Sequence, residues 1–219
     1  MPITVEHTLY HFDELSDRAK ETARDWWRNL EQLDFDPDYD DFIECAKRLG
    51  IEIDTHAVKL MGGGTRYAPT IYWSGFSSQG DGACFEGRYS YAPKAQAAIE
   101  DYAPKDAELA RIANALDTLQ HANGNSLGAR MQHRGRYSHS GCMQVDVWCD
   151  EYMNATDDEL TDAMSDDAEE ELTELMRDFA NWIYRQLETE YEWRMADEQV
   201  DDAITCNEYT FDESGRRAD

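Results

Sequence analysis

The chain has 219 residues, 47 of them acidic against 20 basic, for a formal net charge of −27. So acidic a surface excludes direct binding to nucleic acid or to anionic membrane headgroups and points instead to proteins whose task is to grip anions. Hydrophobic residues make up 41% and aromatic residues 11%, too much apolar material for a wholly disordered acidic protein, so the charge should decorate a folded body.

That body is expected to be a single α+β domain over residues 1–219, long enough to bury one substantial core. The amino terminus lacks a basic stretch followed by an apolar one, and no apolar run approaches about 18 residues, so the expectation is a soluble protein of the cytoplasm without a membrane partner. Five cysteines, Cys45, Cys84, Cys142, Cys149 and Cys206, stand at scattered spacings with no CxxC pair, which predicts reduced and mostly buried thiols.

In chain order, residues 3–12 alternate as an edge strand does. The segment from Phe12 to Leu30 places Phe12, Leu15, Ala19, Ala23, Trp26 and Leu30 on one face of a helix, which predicts a core face. Asp38 to Gly50 repeats the pattern with an acidic first turn and a terminal glycine. From Ile51 the period falls to two through Lys59, and the glycines at 62–64 end a strand there. Thr70–Phe76 and Ala83–Tyr91 read as a hairpin around a long glycine-bearing turn. Residues 93–122 read as two helices broken before Pro104, closed by Gly124. Two more strands follow, Ala129–His139 and Cys142–Cys149, joined by a tight turn at Ser140–Gly141. Met143, Val145, Val147 and Cys149 alternate there with Gln144, Asp146 and Trp148, as on a sheet with one covered face.

The rest reads as an acidic helical region over 156–198 with a capping box at Thr156 and Glu159. A stripe of Leu172, Leu175, Phe179, Trp182, Ile183, Gln186 and Tyr191 would lie across the sheet, and a break is expected after Glu198. Glu208–Phe211 offers a last short strand. The predicted architecture is a mainly antiparallel sheet packed by the N-terminal helices and this long acidic helix.

The charge is not spread evenly. Residues 150–219 hold 24 acids and 5 bases, which is 19 of the 27 net negative charges. Adaptation of the host to high salt, the alternative suggested by scarce lysine, would spread it. Between Asp157 and Asp178, 11 of 22 residues are acidic and only Arg177 is basic. On a helix this is one carboxylate per roughly 3 Å of axis, close to the roughly 3.4 Å per phosphate along one DNA strand. A partner that grips duplex through Lys and Arg could not tell the two apart by field alone. The expected partner-binding residues are Asp157, Asp158, Glu159, Asp162, Asp166, Asp167, Glu169, Glu170, Glu171, Glu174 and Asp178. The plain alternative is a solvated helix face, but these acids lack the i,i+4 basic partners that make such a face favourable.

The most distinctive string is Trp73-Ser-Gly-Phe-Ser-Ser-Gln-Gly-Asp-Gly-Ala-Cys-Phe-Glu-Gly87. Glycines at 75, 80, 82 and 87 suggest positive φ or close backbone approach, and Gln79 and Asp81 can bond the turn's own amides. This is a structural turn first, with Tyr72, Trp73, Gln79, Asp81 and Glu86 as a secondary interface. Asp81 and Glu86 could take Ca²⁺ with loop carbonyls, though without the regularity of an EF-hand loop. The string, with Phe12-Asp-Glu-Leu-Ser-Asp-Arg-Ala-Lys-Glu-Thr-Ala-Arg-Asp-Trp-Trp27 and Asn207-Glu-Tyr-Thr-Phe-Asp-Glu-Ser-Gly215, resembles a family of small uncharacterised proteins of bacteriophages and other mobile elements, some labelled antitoxin-like. The resemblance implies a genomic context in which accessory genes disarm host defences or neutralise toxins. It brings no catalytic residues, and the acidic segment lies outside the three blocks that carry it.

His56, His133 and His139, with Asp54 and Asp146, are raw material for a metal site or a general base, but no ligand spacing supports one, and histidines on sheet faces are the simpler reading. Cys84 and Cys142 read as core thiols rather than nucleophiles. Arg130, Arg134 and Arg136 with His133 form the one basic cluster, expected to pair with the protein's own acids. The sequence therefore points to a non-enzymatic inhibitor from a phage or mobile element, an acidic nucleic-acid mimic that blocks a cationic groove of a host defence or nucleic-acid-binding protein. It needs no cofactor or metal, and a homodimer is compatible with it. The alternative is an antitoxin-like binding module that uses the 72–87 hairpin and aromatics such as Tyr72, Trp73 and Trp148, with acidity serving solubility only.

Overall fold

A computed structural model describes residues 8–35, 37–149 and 165–218. The chain divides into two compact units, one of Met1–Pro37 with Leu187–Asp219 and one of Asp38–Gln186. Among the described residues there are six α-helices and several small sheets, all paired antiparallel.

In the larger unit, α2 (Asp40–Leu49) has acids in its first turn and bases in its last, which suits the helix dipole, and its buried Phe42, Cys45 and Leu49 form the core face that the sequence pattern predicts. The strands β2 (Ile51–Ile53) and β3 (Thr55–Lys59) follow, then β4 (Thr65–Pro69), β5 (Ile71–Ser74), β6 (Gly82–Phe85) and β7 (Gly87–Ser90). The 51–59 segment is not one strand. It changes partner at Asp54, as 65–74 does at Thr70 and 82–90 does at Glu86: β2 pairs with β7, β3 with β4, and β5 with β6. At the switch, Asp54 N–H donates to the Glu86 carbonyl (2.9 Å), Glu86 N–H to Thr70 (2.9 Å) and Thr70 N–H to Asp54 (2.8 Å). This closed ring uses all three donors and all three acceptors that a change of partner would otherwise orphan. Residues 65–69, not anticipated as a strand, complete a ribbon with β3 whose Met61 and Tyr67 are exposed.

Helices α3 (Ala95–Tyr102) and α4 (Ala107–Ala122) break before Pro104 as expected. Leu109, Ile112, Leu116 and Leu119 of α4 are buried. Buried Gln120 bonds the Tyr89 hydroxyl (3.1 Å) and both the carbonyl (2.7 Å) and the N–H (3.1 Å) of Leu127, which starts β8 (Leu127–His133) against α4. With β9 (Met143–Cys149), the order β2-β7-β8-β9 makes a four-stranded sheet. The β8–β9 connection is nine residues long and ends in a 3-10 turn at Ser140–Cys142, rather than a tight turn at Ser140–Gly141.

The expected helix start and capping box at Thr156 and Glu159 lie outside the described residues. The described helix, α5, runs Asp166–Met195 and starts with the Ser165 hydroxyl accepting the Ala168 N–H (3.2 Å). Phe179, fully buried, meets Phe85 edge-on (5.6 Å) and stacks on Trp182 (5.5 Å). Asp106 fixes α5 against α4, because its carboxylate caps α4 through the Leu109 N–H (2.9 Å) and takes the Trp182 indole N–H (2.7 Å).

In the smaller unit, β1 (Tyr10–His11) pairs with β10 (Thr210–Phe211), and α1 (Asp17–Asp34) packs on α6 (Asp197–Cys206). The predicted strand at 3–12 is therefore described only at Tyr10–His11, and Phe12–Glu14 is a 3-10 turn. Phe12, Leu15, Ala19 and Ala23 are buried with Val200, Ile204 and Phe211, and Arg24 clamps Asp201 with two bonds (2.6 and 2.7 Å). Leu30, placed on the core face by its spacing, is 41% exposed. The helical break falls at Ala196, two residues before Glu198.

Replacing Phe179 by Ala should lower unfolding free energy by about 3–5 kcal/mol in urea titrations. Leu30→Ala should change it by no more than about 0.5 kcal/mol. Equal losses from the two would mean that the aromatic contacts beneath α5 are not what holds the larger unit.

Candidate functional site

Residues of α5 turn by about 100° each, so a four-residue step advances only about 40°. Asp166, Glu170, Glu174 and Asp178 therefore form one slowly winding row, with Asp167 and Glu171 beside it. Ala168, Leu172, Leu175 and Phe179 occupy the buried side. The six carboxylates fall within an arc of about 140° along roughly 18 Å of axis. Glu169 does not join them, since its position lies next to the buried row. Asp157, Asp158, Glu159 and Asp162 lie outside the described residues.

Two of the six are compensated. Arg177 pairs with Glu174 (2.6 Å), and Arg111 of α4 reaches Asp178 (2.5 Å) while holding Glu108 (2.9 Å). These bonds drive the Arg111 guanidinium upward in pKa and the Glu108 carboxyl downward. Asp166, Asp167, Glu170 and Glu171 are exposed and have no ion pair among the described residues. Asp166 and Asp167 sit in the first turn, where the helix dipole favours negative charge. Glu170 and Glu171 lie further from that end and repel their neighbours at four-residue spacing.

Among the described residues, no ion pair joins the basic cluster to the acidic helix. Arg130 forms a two-point pair with Asp54 (3.2 and 2.5 Å), and Arg134 and Arg136 are exposed without an ion pair among the described residues.

The hairpin string is built as a turn. One Asp81 oxygen accepts the N–H groups of Ser77 (2.9 Å) and Ser78 (2.6 Å), whereas Gln79 is exposed and bonds nothing among the described residues. The glycines at 75, 80, 82 and 87 do not adopt positive φ, and it is at Gly82 and Gly87 that close approach leaves no room for a Cβ. A Cβ on Gly82 would stand 2.5 Å from that of His139, which lets the β8–β9 connection lie against the hairpin.

Tyr72, Trp73 and Trp148, which the alternative reading would present to a partner, are half-buried. Trp73 donates to the Tyr39 hydroxyl (3.0 Å) and stacks on Phe76, which stacks in turn on Tyr184. Tyr72 lies against His133 (4.9 Å), and Trp148 covers Gly128. The carboxylate of Glu86 accepts the His133 N–H (3.2 Å). Among the described residues, no group of three or more His, Cys, Asp or Glu is placed to hold a metal ion. Nor is any described helix long and apolar enough to cross a membrane.

Cys142 sits 3.6 Å from His139 Nε2, but His139 Nδ1 accepts the Gly141 N–H (3.1 Å). A neutral ring that accepts at Nδ1 carries its proton on Nε2, so it offers the thiol a proton rather than removing one. Burial raises Cys45 to about 11 and Cys84 to about 12, leaving almost no thiolate at neutral pH.

The sequence over residues 35–197, about three quarters of the chain, matches a protein family described as a domain of unknown function, DUF8835. The chain belongs to that family. The DUF8835 match includes the acidic segment 157–178 and the hairpin, while Phe12–Trp27 and Asn207–Gly215, two of the blocks that suggested kinship, lie outside it. No curated protein and no solved structure matches the chain.

One feature of this DUF8835 domain escapes a motif-by-motif reading. Glu52, Asp54, Thr70, Tyr72 and Glu86 line one cleft of about 460 Å³ at the strand junction. The signal for it is the 16-residue interval between the switch positions 54, 70 and 86, which only a comparison of the three strand segments would expose.

Alkylation with iodoacetamide at pH 8 should label Cys206, the exposed thiol, and leave Cys45 and Cys84 unmodified until denaturant is added. Rapid labelling of Cys84 in the folded protein, read by peptide mass mapping, would contradict the packing of β6.

Proposed function

We propose that this protein is a non-enzymatic inhibitor of phage or mobile-element origin that acts as an acidic nucleic-acid mimic in the cytoplasm of the host cell. Its partner is a defence protein or another nucleic-acid-binding protein with a cationic groove. The observation that carries the reading is the α5 row of Asp166, Glu170, Glu174 and Asp178, flanked by Asp167 and Glu171, of which, among the described residues, only Glu174 and Asp178 are ion-paired. Repulsion between neighbouring carboxylates beyond the first helical turn costs stability, and a cost retained in the sequence favours a use for the charge. The likeness of the hairpin and terminal blocks to mobile-element proteins supplies the context.

An antitoxin-like module that binds through the 72–87 hairpin is less well supported. Trp73 and Phe76 are occupied by Tyr39 and Tyr184, and Asp81 serves the turn itself.

The test uses proteins captured from host lysate on the immobilised chain. Retention of a nucleic-acid-binding protein should fall on the order of tenfold or more between 50 and 200 mM salt, since screening acts directly on exposed charge. Glu170→Lys with Glu171→Lys should abolish capture, and duplex DNA should compete for the same partner. Capture that is indifferent to salt and to this double reversal, but lost with Trp73→Ala, would replace the mimic reading by the hairpin one.

A further inference from the structure

We infer that the cleft at the strand junction is a binding site for a guanidinium group, independent of the acidic face of α5. Along β6 and into the junction the side chains alternate. Phe85 points to Phe179 of α5, so Glu86 faces the opposite side of that strand, where the cleft opens. The cleft shares no lining residue with the acidic row, so the two readings fail separately.

Three carboxylates, Glu52, Asp54 and Glu86, face one histidine, His56, in the cleft lining, so acceptors are in excess. Asp54 is already satisfied by the Arg130 guanidinium, and this pair shows in place the geometry that such a carboxylate takes. Glu86 spends one oxygen on the His133 N–H, while its other oxygen and the Glu52 carboxylate have no hydrogen-bond partner among the described residues.

The deciding group is Thr70. It is 3% exposed and lines the cleft, yet its hydroxyl bonds nothing among the described residues. That oxygen is not fully sealed, and the residue borders the cleft. An unmade bond on so buried a polar group is costly unless a ligand or solvent completes it. Tyr72, whose hydroxyl also has no hydrogen-bond partner among the described residues, adds an aromatic ring to the lining, packed on one side by His133, and burial with the Glu86 charge keeps its phenol proton in place.

A planar cation with several N–H donors matches this set better than a compact ammonium. It can engage Glu86 and Glu52, donate to the Thr70 hydroxyl and lie against the Tyr72 ring, and it is weakly hydrated. A volume of about 460 Å³ suits such a group with its alkyl stem. A free guanidino compound and an arginine side chain of a protein share this chemistry.

The experiment is an amide-resolved NMR titration of the full chain at 150 mM salt with two probes, agmatine and acetyl-Gly-Arg-Gly-amide, and with butylurea as the uncharged control. Saturable shifts should be confined to residues around Glu52–His56, Thr70–Tyr72 and Glu86, with no response to butylurea. Tighter binding of agmatine would indicate a small-molecule ligand, and equal or tighter binding of the peptide an arginine side chain. Thr70→Val keeps the shape, and Glu86→Gln keeps the oxygen that takes the His133 N–H; each should weaken binding about tenfold. Glu170→Gln, on α5, should leave affinity unchanged. Shifts spread along α5, or wild-type affinity in both cleft variants with native spectra, would overturn the assignment.

Discussion

The larger unit depends on one small ring of backbone hydrogen bonds joining Asp54, Thr70 and Glu86. A strand that changes partner midway leaves an N–H and a C=O without a mate, and buried orphans of this kind are rare because each costs as much as a lost bond. Here three strands change partner at the same place, and each supplies what the next one lacks. The consequences run outward. β2 and β7 join the four-stranded sheet, β3 and β4 leave it as a ribbon, and β5 and β6 form the hairpin. The side chains of the three switch residues converge on one face, so the device that satisfies the backbone also makes a cleft.

Helix α5 reads differently on its two sides. Its inner side is an ordinary core stripe, held by aromatic contacts at Phe179 and by the Asp106 to Trp182 bond. Its outer side concentrates carboxylates, only some of which the fold itself explains among the described residues. The dipole accounts for Asp166 and Asp167, and arginines account for Glu174 and Asp178. Glu170 and Glu171 remain without either explanation, and they are the residues on which the mimic reading weighs most. Arg130 of the basic cluster pairs internally, as expected, but with Asp54 at the junction rather than with this helix.

The blocks at the two ends of the chain gain meaning together. Phe12, Leu15, Ala19 and Ala23 form one cluster with Val200, Ile204 and Phe211, and Asp212 organises the following turn by accepting from Ser214 and Arg216. They build the smaller unit, whereas the DUF8835 match covers mainly the larger one. A resemblance spread over three blocks thus concerns two separately packed parts.

By itself, the sequence determined the α+β class, the two helices either side of Pro104, the buried stripe of α5, the turn role of Asp81 and the placement of the charge. These rest on local period, local capping and composition, which are written in neighbouring residues. Only tertiary structure decided which strands pair across Asp54, Thr70 and Glu86, that Leu30 faces solvent, that Trp73 is occupied by Tyr39, and that Arg111 rather than Arg130 meets the acidic helix. Each of those depends on residues 16 to 70 or so positions apart meeting in space, and periodicity along a chain holds no information about which distant segment will satisfy a given donor, carboxylate or ring.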